Sequence, residues 1–169
     1  QALTVQAACG GRLQLGLGLS HQPVIEDMMG LSYAKPARHM REYLSVVSPL
    51  VRGESVAFEG EHYKVNGSLH VPDAQPFPIL VAALGPRMLE LAGKQADGTI
   101  TWMVGLKTIS THIVPRISEA AVAHGKVARV VASLPVLITN EPTLARERID
   151  SSLEMYGKLA SYRRMLDRE

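Results

Sequence analysis

The chain has 169 residues, 46% hydrophobic and 20% charged, with 18 Lys+Arg against 16 Asp+Glu for a formal net charge of +2. That length suits one domain or a piece of a larger one and suffices to bury a core without staples. The balanced charge argues against a dedicated nucleic-acid binder; the single cysteine, Cys9, excludes an intramolecular disulfide; and no apolar run approaches the roughly 20 residues of a membrane span.

Ala2 to Ala8 reads as a helix, ended by Gly10-Gly11 as glycine ends helices past a C-cap. From Arg12 to Leu19, four leucines alternate with Gln14, Gly16 and Gly18, a strand pattern with small residues on one face. Ser20 to Ala34 is a Gly-, Ser- and Met-containing loop. Pro36 then opens a helix whose apolar stripe runs through Ala37, Met40, Leu44, Val47 and Val51. Ser55 to Val71 reads as a hairpin, Val56 to Phe58 against His62 to Val65, within an insert at about residues 53–72. Ile79 to Ala83 is a continuous apolar run, the pattern of a strand buried on both faces.

Gly85-Pro86 opens a helix to about Gln95, and Ala96-Asp97-Gly98 turns into a strand over Thr99 to Met103. Ile109, Ile113, Ile117, Ala120 and Ala121 mark the next helix. Val130 to Ile138 reads as a fourth strand with an awkward Pro135. Thr139-Asn140-Glu141 reads as a cap for a last helix from about Pro142. Strands alternating with helices imply an α/β fold with parallel pairing and right-handed crossovers. An open doubly wound sheet and a (β/α) barrel both remain compatible, with the pattern leaning to the open sheet. The sequence opens at Gln1 inside one helical stretch and stops at Glu169 after another, so the expectation is a fragment of a longer protein.

Several segments together carry a resemblance. Gly10 to Gly18 resembles the fourth strand of the bacterial-luciferase-like monooxygenase family. Arg52 to Tyr63 resembles the insert that follows its fourth helix. Ile79 to Met88, with Leu91-Ala92-Gly93 and Ala96-Asp97-Gly98, resembles its fifth unit and the start of its sixth strand. The run Gly18 to Val24 is similar to the subgroup using the deazaflavin coenzyme F-420. The resemblance implies a (β/α)8 TIM barrel, whose full members run to roughly 250 residues or more, of which this chain would hold about units four to seven. It also implies an oxidoreductase transferring a hydride between coenzyme F-420 and a small organic substrate. FMN-dependent monooxygenation on the same barrel is the nearest alternative, and a non-enzymatic half-barrel that only binds or dimerises is another. A homodimer in the cytoplasm, with neither nucleic acid nor membrane as partner, completes the expectation.

A barrel places its site at the C-terminal ends of the strands. Under the resemblance, Ser20 and His21 are the candidate catalytic residues, an imidazole being suited to proton delivery beside a hydride transfer. Gly18 and the segment Ala83, Leu84, Gly85, Pro86, Arg87 and Met88 are the candidate cofactor contacts. Glycine permits close backbone approach, and a helix start offers free N–H groups to a phosphate. Met28, Trp102, Met103 and Lys107 are the candidate substrate-pocket residues, and the loop Met28 to Tyr33 is a candidate lid. Each has a plainer alternative: a capping His21, a solvent-facing Arg87 or Lys107, a core Trp102 and Met103. The six histidines are scattered, without H-E-x-x-H or a close ligand cluster, so no metal site is expected. Cys9 is expected to be a buried, inert thiol and the Arg163-Arg164 pair a solvated helix face.

Overall fold

The computed structural model describes residues 1–169. The elements run α1 (Ala2–Ala8), β1 (Leu15–Leu17), α2 (Pro36–Val51), β2 (Val56–Glu59), β3 (Lys64–Gly67), β4 (Ile79–Ala82), α3 (Pro86–Gln95), β5 (Gly98–Trp102), α4 (Leu106–Thr108), α5 (Val114–Val122), β6 (Arg129–Ser133), α6 (Pro142–Lys158) and α7 (Ala160–Leu166). Two π-helical turns, Val24–Met28 and Ile109–Ile113, interrupt the loop before α2 and join α4 to α5. Four strands pair in parallel in the order β1-β4-β5-β6, so all four point their C-terminal ends to the same edge. β2 and β3 form a separate antiparallel hairpin.

Burial follows the apolar pattern. In β4, Ile79, Leu80 and Val81 are all buried, as expected of a central parallel strand covered on both faces. Leu44 of α2, Leu89 of α3, Ile113 and Ile117 are shut off from solvent, each contributing about 1.5–3 kcal/mol of burial energy. The strand starts are stitched by Asp97. Its carboxylate accepts the Ile79 N–H at 2.8 Å, its own N–H donates to Ile79 O at 2.8 Å, and its carbonyl accepts the Arg129 N–H at 2.9 Å. Gly98 follows because a Cβ there would lie 1.9 Å from Arg129 O. Thr99, fully buried, donates its hydroxyl to Val81 O at 2.7 Å. On the helical layer, a Cβ on Gly93 of α3 would meet Ile117 O at 2.6 Å, so α3 and α5 touch backbone to backbone.

The hairpin docks on α2 through carboxylates. Glu42, 5% exposed, accepts the Glu61 and His62 N–H groups at 3.2 and 2.8 Å. Glu61 in turn pairs with Lys35 at 2.9 Å and with Arg38. The His62 N–H, ahead of desolvation, pulls the Glu42 carboxyl below its ordinary range. Lys35 and then Arg38 pull that of Glu61 down to about 2.

Five expectations are corrected. The first strand is only Leu15–Leu17, because the residues on either side make no ladder pairs. The fourth ends at Ser133 rather than Ile138; Pro135 has no N–H to donate, and Val136 and Ile138 stand 84% and 97% exposed. The last helix breaks at Leu159, whose extended backbone separates α6 from α7. No side chain caps α6; instead Thr139 Oγ1 accepts the Glu141 N–H at 2.9 Å, a local turn before the helix. Cys9 is half-buried rather than buried, with its thiol 3.6 Å from Gln6 O.

Gly93→Val must push α3 from α5 and is expected to lose at least about 1–3 kcal/mol, the usual cost of overpacking, read as a lower urea midpoint; an unchanged midpoint contradicts the close contact. Because both folded-state carboxyl pKa values are depressed, hairpin docking is complete above the ordinary value of 4.5 and is lost as pH falls toward about 2. The amide resonances of Glu61 and His62 should therefore titrate with midpoints below 4.5, and midpoints at or above it would refute the docking.

Candidate functional site

The loops leaving the parallel strands share one edge of the sheet. β1 runs into Gly18, Leu19 and Ser20, and Ser20 turns the chain with φ 59°, a left-handed conformation costly for a residue with a side chain. The Tyr33 hydroxyl donates to Ser20 O at 3.1 Å and ties the turn to the far end of the loop. Next, the His21 ring packs against two tyrosines from the last helices, its centroid 5.5 Å from Tyr162 and 6.4 Å from Tyr156. Tyr162 is buried, and that burial raises its hydroxyl pKa. These tyrosines were not legible as site residues, since nothing in the sequence places α6 and α7 over the end of β1.

β4 leads through buried Ala83 and half-buried Leu84 to Gly85, the extended N-cap of α3, with Pro86 in the first helical position. The first internal bonds of α3 run from the Met88 and Leu89 N–H groups to Gly85 O, so the Arg87 N–H precedes the helical ladder. A Cβ at Gly85 would meet nothing within 4 Å, and the Arg87 side chain is exposed. The turn thus leaves open space beside Gly85 and an Arg87 N–H outside the helical ladder, the kind of group that can donate to an anion. Behind this loop stands a residue that sequence reasoning missed. His112, 3% exposed, accepts from Arg116 Nε at Nδ1 (3.2 Å), leaving Nε2–H to donate to Leu84 O at 2.9 Å. It braces the β4–α3 turn from the next helical layer.

At the end of β5, Trp102 and Met103 are half-buried, and Met103 turns the chain with φ 52°. Lys107 was expected to face an anionic substrate group; here its ammonium donates to Glu169 O at 2.6 Å. The Glu169 carboxylate accepts the Thr108 N–H at 2.9 Å, and Thr108, through its hydroxyl first and its N–H second, holds the Glu169 pKa below the ordinary range. Thr108 Oγ1 also donates to Met165 O, so α7 is fastened to the β5 loop.

A cleft of about 480 Å³ opens beside β1. The end of β1, the loop from Leu31 to Ala34, the first turns of α2 and Tyr63 of the hairpin form its walls. Of the predicted site residues it takes in Gly18 and Ser20; His21, Ala83 to Met88, Met28, Trp102, Met103 and Lys107 lie outside it. Met28 is 79% exposed, although its neighbours Leu31, Ser32 and Tyr33 in the candidate lid do line the cleft. On the α2 wall His39 Nε2 lies 2.6 Å from the Tyr63 hydroxyl. No three His, Cys, Asp or Glu side chains converge as a metal site, and no helix is long and apolar enough to cross a membrane.

Comparison with known proteins gives a common answer. The luciferase-like monooxygenase family profile matches residues 1–169. A 5,10-methylenetetrahydromethanopterin reductase from Archaeoglobus fulgidus is 34% identical over 97 residues, 57% of this chain and 29% of that protein. The coenzyme F-420-dependent tetrahydromethanopterin reductase structure from Methanopyrus kandleri superposes with TM-score 0.64 at 26% identity, covering 78% of this chain and 43% of that one. A monooxygenase structure from Streptomyces bottropensis shares the fold with TM-score 0.68 at 19% identity, covering 99% of this chain and 54% of that one. The chain thus spans about half, or less, of the length of the relatives it matches. Its parallel α/β sheet and the match along its whole length place it: the chain belongs to the luciferase-like monooxygenase family.

Proposed function

We propose that this chain forms units four to seven of a (β/α)8 barrel and carries part of the site of a coenzyme F-420-dependent oxidoreductase. The observation that carries the reading is the gathering of Gly18 to His21, Gly85 to Met88 and Trp102-Met103 at one edge of a parallel sheet. The similarity to two F-420-linked or methanopterin reductases supports the choice of cofactor. When bound, the deazaflavin supplies the hydride-carrying ring, and the protein supplies binding, orientation and electrostatics.

The Gly85 turn and the Arg87 N–H and guanidinium hold the phosphate end, with His112 fixing the carbonyl of Leu84 so that the turn keeps its shape. Ser20 and His21 lie at the reacting end. Tyr156 and Tyr162 restrict the imidazole to one orientation, from which it delivers or accepts a proton. Trp102 and Met103 wall the ring side of the site. A second reading, FMN-dependent monooxygenation on the same scaffold, is favoured by the monooxygenase whose fold covers nearly all of this chain. The sheet ends in two unpaired strands, β1 and β6, which either a second copy of the chain or the remaining units of a longer polypeptide would cover.

A cofactor titration followed by absorbance decides between the readings: micromolar or tighter binding of coenzyme F-420 with weaker FMN binding is expected, and the reverse order would replace the first with the second. Arg87→Ala should weaken F-420 binding about tenfold, or ~1.4 kcal/mol, the low end for a charge-assisted hydrogen bond because the side chain is exposed; unchanged affinity rejects the phosphate site. Sedimentation equilibrium is expected to return a dimer, and a monomer at all concentrations contradicts the pairing.

A further inference from the structure

The entry edge of the sheet, opposite the strand-end site, holds a pocket of its own. Its volume of about 320 Å³ stands at the lower end of small-molecule sites, roughly 300–1,000 Å³. Its walls are the end of α2, the segment that enters β4, the turn from α3 into β5, and Lys126 ahead of β6. All of them fall between residues 48 and 126. The strands whose starts they adjoin, β4 and β5, are each paired on both sides within this chain. The pocket is therefore bounded by internal elements, away from the two unpaired edges.

Two opposite charges meet this pocket without meeting each other. The Lys126 ammonium donates to Ala96 O at 2.6 Å and forms no ion pair, so two of its N–H groups remain. The Asp97 carboxylate accepts the Ile79 N–H at 2.8 Å through one oxygen, and it too forms no ion pair. Arg52, by contrast, is spent on Glu54, to which its Nε and Nη2 donate at 2.7 and 3.0 Å. Glu54 first and Asp97 last raise the Arg52 pKa. The same pocket is lined by Gln95, whose Oε1 is the only buried side-chain polar atom in the chain without a hydrogen-bond partner. Such an acceptor is costly to leave unmet, and the soft terminal torsion of the side chain allows its oxygen to turn toward the pocket.

The pocket thus offers acceptors at Asp97 and Gln95 and donors at Lys126. A ligand that is only a cation satisfies Asp97 and is repelled by Lys126; one that is only an anion does the reverse. A molecule with both charges meets each with its opposite, through charge-assisted hydrogen bonds. We propose that this pocket binds a small zwitterion, its ammonium on Asp97 and Gln95 and its carboxylate on Lys126. The site is separate from the strand-end loops and stands independently of the oxidoreductase reading. Because Asp97 also ties the starts of β4, β5 and β6, the occupant holds the sheet at its base.

Titration followed by backbone amide NMR shifts tests it, near neutral pH and at low ionic strength, since salt screens exposed charges. The probes are γ-aminobutyrate, butyrate and n-butylamine, chains of matched carbon count that carry both charges or one. γ-Aminobutyrate is expected to shift the amides of Gln95, Asp97 and Lys126 saturably. It should bind about fivefold more tightly than either singly charged chain, the worth of one partly screened ion pair. Asp97→Asn would disturb the strand starts, so the variants are Lys126→Met and Gln95→Met, which leave the ladder untouched. Lys126→Met should bring γ-aminobutyrate down to the level of butylamine, and Gln95→Met should weaken it severalfold. If either variant fails to fold, the ranking of the three probes on the unaltered chain still decides. Shifts that fall elsewhere or do not saturate, equal or tighter binding of a singly charged chain, or a preference that survives Lys126→Met overturns the proposal.

Discussion

Everything at the site edge depends on what happens at the opposite edge, where Asp97 joins three strand starts. One side-chain oxygen and two backbone groups of this residue set the relative heights of β4, β5 and β6. Gly98 lets β6 approach to a distance that no other residue would allow. In a parallel sheet, register set at the entry is register at the exit, because the ladder bonds are evenly spaced and the strands advance together. The loops at Gly85 and Met103 are therefore held at matching heights by contacts at the far end of the sheet. Thr99, bonded to Val81 O inside the core, carries that alignment partway along.

Onto this base the chain adds braces that come from distant sequence. His112 reaches from the π-helical turn to the β4–α3 loop, Thr108 receives α7, and Tyr162 covers His21. Each brace is a polar or aromatic contact between elements that share no strand, so the mouth is held by side chains where the base is held by backbone. The hairpin is attached in a third manner, by the single Glu42 carboxylate on α2, which accepts two backbone N–H groups.

The elements most visible in the sequence are those whose residues answer to a single environment. The α2 stripe through Met40 and Leu44 and the apolar run of β4 each face one core, and both fall where their periodicity puts them. Residues 134–138 mislead because apolar letters imply burial only when a neighbour is present; past β6 none is, and Val136 and Ile138 face solvent. The cleft was invisible for a different reason. Its walls come from four segments with no shared motif, and His39 meets Tyr63 only because the hairpin folds back on α2. Likewise His112 read as one more scattered histidine, its meaning lying in a carbonyl 28 residues earlier.

Ser20 and Met103, the two non-glycine residues that leave parallel strands with positive φ, bear on how such a scaffold changes over time. Their strain sits at the rim, outside the ladder, while the sheet's alignment is settled at the entry side by Asp97 and Gly98. Replacement of rim residues can reshape what the mouth accepts without disturbing the register beneath it, whereas replacement at the base costs the fold itself. A substitution at the mouth is thus expected to change what is bound, and one at the base to change whether the sheet aligns at all.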